Sequence, residues 1–199
     1  EKNTRVKAAV VPGDPLYPKQ SFLQAIQAPL AWDVTTGSRS VTVAVLDSGL
    51  DINHPDLRNN VWRNAGEIPG DGIDNDANGY IDDINGWDFV NDIPDPAPKF
   101  GGAFTDAGIH HGTVISGIIA AEGNNGIGIA GVSWHAAIVP LRVLNNRGEG
   151  DILTVIRAIE YAINARVAVM NLSFVGDVDS IFLREALKRA SDAGIVVVA

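Results

Sequence analysis

An aspartate at the end of an apolar run is the first residue whose type and position suggest chemistry. Residues 41–46 contain five apolar side chains, three of them valine, and Asp47 is followed by the turn pair Ser48-Gly49. Such a run predicts a strand buried on both faces, and open α/β sheets carry their chemistry at the carboxyl ends of parallel strands. Aspartate and serine are also common turn residues, so Asp47 by itself fits a structural cap equally well.

A histidine far along the chain supplies a second group that can move a proton. His111 begins a run of small and apolar residues that extends to Ala121 and predicts a helix packed inside the protein. We expect His111 at the N-terminal end of this helix, where the dipole disfavours a cation and helps to keep the imidazole neutral, as a general base requires. Single histidines are usually structural, and no role is assigned to His54, His110 or His135.

Nine of the 24 acidic residues lie between Arg63 and Lys99, where no basic residue balances them. Within this stretch, oxygen-bearing groups recur at every second position around Gly79, a spacing similar to the first half of an EF-hand loop. The candidate cation ligands are Asp74, Asp76, Asn78, the carbonyl of Tyr80, and Asp82, with Asp83 as a substitute for the missing terminal glutamate. The alternative is an ordinary Asn/Asp/Gly turn, which would leave the clustered acids to repel one another.

Composition bounds the class of protein. The 199 residues are enough for one domain with a sizeable core. A formal charge of −9 argues against nucleic acid as a partner, because phosphate binding needs a basic surface. No apolar run approaches the roughly 18 residues of a membrane helix, so no membrane partner is expected. The absence of cysteine excludes disulfides, thiolate metal sites and a cysteine nucleophile within these residues.

Alternating patterns predict the elements that must hold these groups in place. Apolar runs indicate core strands around 138–144, 167–172 and 195–199, and stripes at helical spacing indicate helices at 152–163 and 182–190. Asp151 is placed to cap the first of these helices, and Gly194 to end the second. This alternation predicts an α/β fold with a doubly wound parallel sheet. Residues 1–13 show no periodicity and are predicted to be an N-terminal arm or the end of a preceding segment, so the domain begins at residue 14.

Two familiar patterns are excluded by their context. Residues 126–131 read G-x-G-x-x-G, but a dinucleotide fingerprint follows a strand and opens a helix, whereas this one follows a helix and leads to a strand. A phosphate-transfer enzyme of the haloacid-dehalogenase kind also begins with an apolar strand that ends in aspartate. It needs a second aspartate two positions later, where this chain has Gly49.

Taken together, the blocks resemble the subtilisin-like serine proteases, and in particular their thermitase-like members. The similarity lies in residues 45–49, 54–57, 111–117 and 171–173 and extends over about residues 13–199. The resemblance implies a subtilisin-type fold and a secreted or cell-surface endopeptidase that cleaves polypeptides with an Asp-His-Ser triad. In such a triad a neutral histidine takes the proton of the serine, and the aspartate fixes the tautomer and stabilises the imidazolium. By this resemblance Asp47 is the aspartate and His111 the base.

The resemblance also implies binding residues. The family binds the substrate backbone as an added strand between two edges, which would here be Gly148, Glu149 and Gly150 on one side and Ser173, Phe174 and Val175 on the other. The family's first calcium site would use carboxylates of Asp14 and Asp56, the side chain of Asn125, and the carbonyls of Gly123, Ile127 and Ile129.

The sequence departs from the family pattern in three places. Val114 stands where a second histidine is usual, and Val175 stands where glycine is usual. The chain also ends before the positions of the oxyanion asparagine and the nucleophilic serine. We therefore expect an N-terminal portion of a catalytic domain, incomplete at its C-terminus, inactive alone, and partnered by the remaining part and by an N-terminal propeptide. The alternative is a catalytically dead binding module, against which the Asp47/His111 pair counts, because a scaffold has no use for a buried acid–base pair.

Overall fold

The computed structural model describes residues 10–101, 103, 105–176 and 179–199. Of the predicted N-terminal arm, residues 1–9 lie outside the described residues. The strands are β1 (Thr42–Asp47), β2 (Trp87–Asp88), β3 (Ala137–Arg142), β4 (Val169–Asn171) and β5 (Val196–Val198). They form one sheet in the order β2-β3-β1-β4-β5, and all pairings in it are parallel.

Helices follow or precede these strands along the chain. They are α1 (Ser21–Ala25), α2 (Ala28–Trp32), α3 (Asp106–Ala120), α4 (Ile152–Asn164) and α5 (Ile181–Asp192), with 3-10 turns at Tyr17–Lys19 and Arg58–Asn60. Within the described ranges, no helix is both long and apolar enough to cross a membrane. The predicted α/β fold with a parallel sheet is confirmed.

The central strand β1 is buried on both faces, as its apolar run predicts. Val43 and Val45 pack into a cluster that includes Ala120 of α3, whereas Ala44 and Leu46 pack into the main cluster with residues of α4 and α5. Helices therefore cover both faces of the sheet. Leu46 is fully buried, and burial of a side chain of this size contributes roughly 1.5–3 kcal/mol. This burial fixes the end of the strand from which the next side chain projects.

The caps of α4 and α5 also agree with the sequence. Asp151 accepts a hydrogen bond from the backbone N–H of Thr154 at 3.0 Å, which satisfies one of the unpaired donors at the start of α4. Beyond the end of α5, Gly194 adopts a φ of 85°, a left-handed conformation that glycine reaches without strain.

The prediction for α3 is wrong in two respects. The helix begins at Asp106, and its cap is Thr105, whose side chain accepts a hydrogen bond from the N–H of Gly108. His111 therefore lies in the second turn and not at the N-terminus, where the dipole argument would apply, because that effect falls off within the first turn. Nor is α3 enclosed all round, since Val114 is 56% and Ile118 is 38% exposed.

The edges of the sheet differ from the sequence-based prediction as well. The short strand β2 lies inside the acidic stretch and pairs through Trp87 and Asp88 with the end of β3. The predicted core strand at the other edge, β5, is half-exposed at Val196 and Val198, because within the described residues it pairs only with β4.

Candidate active site and cation-binding loops

Asp47 and His111 are in direct contact at the carboxyl end of β1. The Nδ1 atom of His111 lies 2.9 Å from Oδ1 and 2.8 Å from Oδ2 of Asp47. The carboxylate is 1% exposed, and the N–H of Ser48 donates to its Oδ1 at 2.6 Å. The carboxylate is thus held by its own strand end and turned toward the histidine.

Helix α3 approaches β1 closely enough for this contact because residue 112 is glycine. A Cβ at Gly112 would lie 2.3 Å from the carbonyl oxygen of Gly49 and 3.0 Å from the Cβ of Asp47, so any larger residue would push the helix away. The N–H of Gly112 also donates to Oγ of Ser48 at 3.2 Å. The turn after β1 and the second turn of α3 are therefore joined next to the pair.

The contact through Nδ1 determines what the histidine can do. When Nδ1–H donates to the carboxylate, the neutral ring carries its free lone pair on Nε2, and no described residue forms a hydrogen bond with Nε2 of His111. The side chain of His111 is 39% exposed, whereas that of Asp47 is 1% exposed. Such a pair can accept a proton at Nε2 and stabilise the resulting imidazolium. Among the described residues, no serine hydroxyl lies within hydrogen-bonding distance of His111.

One of the two predicted substrate edges follows β3. Residues 148–150 form the end of a tight loop in which Oδ1 of Asn145 accepts hydrogen bonds from the N–H groups of Arg147 and Glu149. Glu149 forms an exposed ion pair with Arg147 at 2.9 Å. Hydrogen bonds from Asn145 and then from Arg147 lower the pKa of Glu149.

The other predicted edge follows β4, on the opposite side of β1. The side chain of Ser173 is hydrogen-bonded to Asn171 at 2.8 Å, and Phe174 packs against the main core cluster. Val175 is 95% exposed. Because β3 and β4 flank β1 in a parallel sheet, both edges begin at the same side of the sheet as the Asp47–His111 pair.

The side chains of Asp14 and Asp56 both bind the loop formed by residues 123–129. We term these two carboxylates and this loop the 123–129 loop site. Each of these two carboxylates is 2% exposed. Asp14 accepts hydrogen bonds from the N–H groups of Asn124 and Asn125, and Asp56 from the amide of Asn125 and the N–H of Ile129. Burial raises the pKa of Asp56, and the nearby charge of Asp14 adds to this effect.

The carbonyl groups of the same loop provide free acceptors. The carbonyl of Gly128 accepts a hydrogen bond from the N–H of Leu16. The carbonyls of Gly123, Ile127 and Ile129 accept none from the described residues. In addition, no described Lys or Arg forms an ion pair with Asp14 or Asp56. Two buried carboxylates with free carbonyls nearby fit the oxygen-only ligand set of a hard cation such as calcium.

A second group of carboxylates lies in the acidic stretch, and we term Glu67, Asp76 and Asp83 the carboxylate cluster. Oxygen atoms of the three side chains lie within 4.8 Å of one another. Asp83 is fully buried and accepts hydrogen bonds from Asn64, Asn78 and Tyr161. Burial is the main cause of the raised pKa of Asp83, and the charge of Asp76 contributes to it. Three acids brought together in this way could hold a cation, whose charge would offset their mutual repulsion.

The structure groups these acids differently from the predicted EF-hand-like set. The oxygens of Asp74 accept hydrogen bonds from the N–H groups of Asn78 and Gly79. Those of Asp82 accept from Gly70 and Gly72, and the ring of Tyr80 packs against Trp87, Phe89 and Tyr161. Asp76 and Asp83 thus join the cluster, whereas Asp74 and Asp82 lie outside it.

Two members of this environment were missed by the sequence analysis. Glu67 lies seven residues before Asp74 and was counted only as one of the unbalanced acids, although its position among them was a usable signal. Tyr161 lies on α4, 78 residues after Asp83, and no local pattern connects the two positions.

Comparison with known proteins gives a consistent result. The chain is 38% identical over 167 residues to Subtilisin-like protease 1 of Plasmodium berghei, which covers 83% of this chain and 26% of that protein. It is 37% identical over 189 residues to thermitase of Thermoactinomyces vulgaris, which covers 94% of this chain and 56% of thermitase. A solved protease structure from Pseudoalteromonas arctica PAMC 21717 matches with a TM-score of 0.71 at 29% identity, over 95% of this chain and 58% of that one.

The chain thus spans between about a quarter and just over half of the length of these relatives. The model of the subtilase family, Peptidase_S8, matches residues 38–199. This range includes both Asp47 and His111 and all five strands of the sheet. The chain belongs to the subtilase family.

Proposed function

We propose that this chain contributes the aspartate and the histidine of a serine endopeptidase triad. The observation that carries the proposal is the contact of His111 Nδ1 with both oxygens of the buried Asp47, at 2.8 and 2.9 Å. His111 takes the proton of a serine hydroxyl at Nε2, and Asp47 holds the tautomer and stabilises the imidazolium that forms. The serine comes from outside the described residues, so residues 1–199 alone are expected not to hydrolyse peptides.

The substrate is a polypeptide that binds as an extended strand between the two loop edges. Residues 148–150 and 173–175 offer backbone groups on either side of the end of β1. A strand bound there would pass the exposed face of His111, which is 39% exposed. This arrangement supports cleavage within a chain and not only at its termini.

Calcium is the proposed cation of both acidic sites. In the 123–129 loop site the ligands are Asp14, Asp56, Asn125 and the carbonyls of Gly123, Ile127 and Ile129. In the acidic stretch they are Glu67, Asp76 and Asp83, with Asn78 adjacent. When bound, calcium neutralises the buried carboxylates and stabilises the fold by linkage. Magnesium is less suited, because it demands regular octahedral geometry and gives up water reluctantly.

The proposed calcium sites also support a proposal about where the protein acts. We place it outside the cell or at its surface, where calcium is abundant enough to fill weak sites. A propeptide at the N-terminus and the remaining part of the catalytic domain are its expected partners. The rival function, a binding module without catalysis, is kept because no described serine contacts His111.

The test uses the full-length protein that contains this chain. We expect Asp47→Asn to lower kcat by about 10⁴-fold on an internally quenched peptide, and His111→Ala to abolish most of the activity. His110→Ala is the matched control, because His110 neighbours the base but contacts the ring of Phe100. Full-length protein that neither hydrolyses peptides nor reacts with a serine-directed phosphonate would favour the binding module. Equal activity of Asp47→Asn and the unmodified protein would refute the assigned roles.

A further inference from the structure

Arg142 occupies the last position of β3, between two acidic strand ends. In the sheet register it is paired with Asp47 of β1 on one side and with Asp88 of β2 on the other. Its backbone carbonyl accepts a hydrogen bond from the N–H of Phe89. The first residue after it, Val143, donates to the carbonyl of Asp47. The backbone of this position is therefore fixed to the strand that carries Asp47.

The side chain of Arg142 forms a buried ion pair with Asp88. Its Nη1 atom lies 3.0 Å from Oδ1 and 2.8 Å from Oδ2 of Asp88, and the two side chains are 2% and 0% exposed. Nε is buried without a partner among the described residues. An apolar pair of similar volume would avoid this unpaired donor and the cost of burying charge. Packing alone therefore does not explain why this buried pair is charged.

The second guanidinium nitrogen connects the ion pair to a loop. Nη2 of Arg142 donates to Oδ1 of Asn146 at 2.9 Å, and Asn146 lies in the loop that ends in the predicted substrate edge 148–150. The amide of Asn146 donates to the carbonyl of Gly101 at 2.7 Å. The backbone carbonyl of Asn146 accepts a hydrogen bond from the N–H of Thr105 at 3.1 Å. Thr105 is the cap of α3, the helix that carries His111.

The backbone around Asn146 is also packed tightly against α3. A Cβ at Gly108 would lie 2.5 Å from the carbonyl oxygen of Asn146 and 2.7 Å from the N of Gly148. The first turn of α3 and the substrate edge thus touch directly at this point. Any displacement of Asn146 would change the distance between the edge and the histidine one turn further along.

We propose that Asn146, held by the Arg142–Asp88 pair, is a positioning residue that fixes the substrate edge 148–150 relative to His111. The inference rests on the proposed peptidase function for its kinetic consequence, but the positioning itself is a property of the chain. Asn146 does not contact the reacting atoms; it acts through the loop that would bind the substrate backbone. Loss of its side chain should weaken the binding of long substrates and leave the chemical step unchanged.

The test compares Asn146→Ala with Asn91→Ala in the full-length protein. Asn91 is the matched control, because its amide donates to the same carboxylate, Asp88, at 2.7 Å, but among the described residues it forms no hydrogen bond with the 145–150 loop. We expect Asn146→Ala to raise KM about ten-fold for a peptide that runs along residues 148–150, the size of one lost charge-assisted hydrogen bond. Its kcat should remain unchanged, as should both constants for a short ester that does not reach the edge. Asn91→Ala should leave all of these values unchanged.

Hydrogen exchange of the backbone amides gives a readout that does not require activity. In Asn146→Ala, exchange at residues 147–149 should become faster while exchange in β1 stays the same; Asn91→Ala should change neither. The double variant Asp88→Leu/Arg142→Met, which leaves no buried unpaired charge, should reproduce the faster exchange of the loop. The proposal would be overturned if Asn91→Ala and Asn146→Ala changed the exchange rates equally. It would also be overturned if exchange at residues 147–149 stayed unchanged in both Asn146→Ala and Asp88→Leu/Arg142→Met. Faster exchange in a protein that hydrolyses nothing would support the positioning and refute the peptidase function.

Discussion

Asp83 and Asp82 are neighbouring aspartates for which the structure predicts opposite behaviour. Asp83 is fully buried in the carboxylate cluster, whereas both oxygens of Asp82 accept hydrogen bonds from loop N–H groups. Asp83→Asn should therefore remove about half or more of the calcium-dependent stability, and Asp82→Asn should leave that component in place. Without calcium, Asp83→Asn should not destabilise at neutral pH, because it removes a buried charge whose pKa is already raised by burial.

The magnitude follows from linkage. One site with calcium at 100 times its Kd stabilises by about 2.7 kcal/mol. Loss of one of three carboxylate ligands should weaken the calcium affinity by at least the 10–100-fold that is typical when a residue supporting a metal ligand is lost. At the same calcium concentration, the remaining stabilisation by calcium would then be about 0.4–1.4 kcal/mol. The measurement is urea unfolding of the full-length protein with calcium and with chelator. An equal loss in Asp82→Asn and Asp83→Asn, or unfolding that is indifferent to calcium, would refute the assignment of the cluster.

Three further outcomes are expected. In the absence of calcium, the raised pKa of Asp83 means that the folded state binds the proton of this carboxyl more tightly than the unfolded state does. The free energy of unfolding of the unmodified protein, relative to that of Asp83→Asn, should therefore rise as the pH falls from neutral through that pKa. Urea titrations at a series of pH values measure this difference. Val175 is 95% exposed at the proposed substrate edge and should exclude large aromatic residues before the cut. Val175→Gly should therefore increase cleavage after Phe and Tyr in a peptide library, and a strong preference for these residues in the unmodified enzyme would contradict this. Glu149 should favour basic substrate residues further upstream of the cut, but Arg147 already forms an ion pair with it. Arg147→Ala should therefore strengthen the preference for basic residues, and an unchanged cleavage profile would count against this role of Glu149.

The strongest local patterns gave correct predictions of the fold. The run before Asp47 is apolar at successive positions because β1 packs against helices on both faces, and a run of this kind has few alternatives in a soluble domain. The cap of α4 was also predictable, since Asp151 and its partner Thr154 are three residues apart and interact locally. The proximity of Asp47 and His111 came from the family resemblance, not from any local rule.

The misplaced start of α3 was avoidable. Thr105 followed by Asp106 is a common signature of a helix N-terminus, whereas the predicted start rested on the run of small and apolar residues from His111. The strand β2 was not predictable in the same way. It has two residues, Trp87 and Asp88, and it exists because it pairs with the end of β3, a partner some 50 residues away in sequence.

The carboxylate cluster differs from the set of ligands that spacing alone predicts. A calcium loop of the EF-hand kind collects its ligands from one short segment, and the predicted ligands likewise lay within residues 74–83. Here left-handed conformations at Ala77 and Asp82 turn the chain so that alternate acids point to different partners. Glu67 then enters the cluster from an earlier turn, where the periodic pattern does not extend.

The position of this cluster also indicates what a bound cation would affect. Tyr161 of α4 donates to Asp83, and Arg157, one turn earlier on the same helix, pairs with Asp92 at 2.6 Å. The acidic stretch is thus attached to α4, whose residues pack on the same face of the sheet as Leu46. The Asp47–His111 contact, by contrast, is set by the approach of α3 at Gly112. Because these attachments are separate, cation binding at the cluster should slow unfolding of the α4 side of the core without changing the geometry of the Asp47–His111 pair.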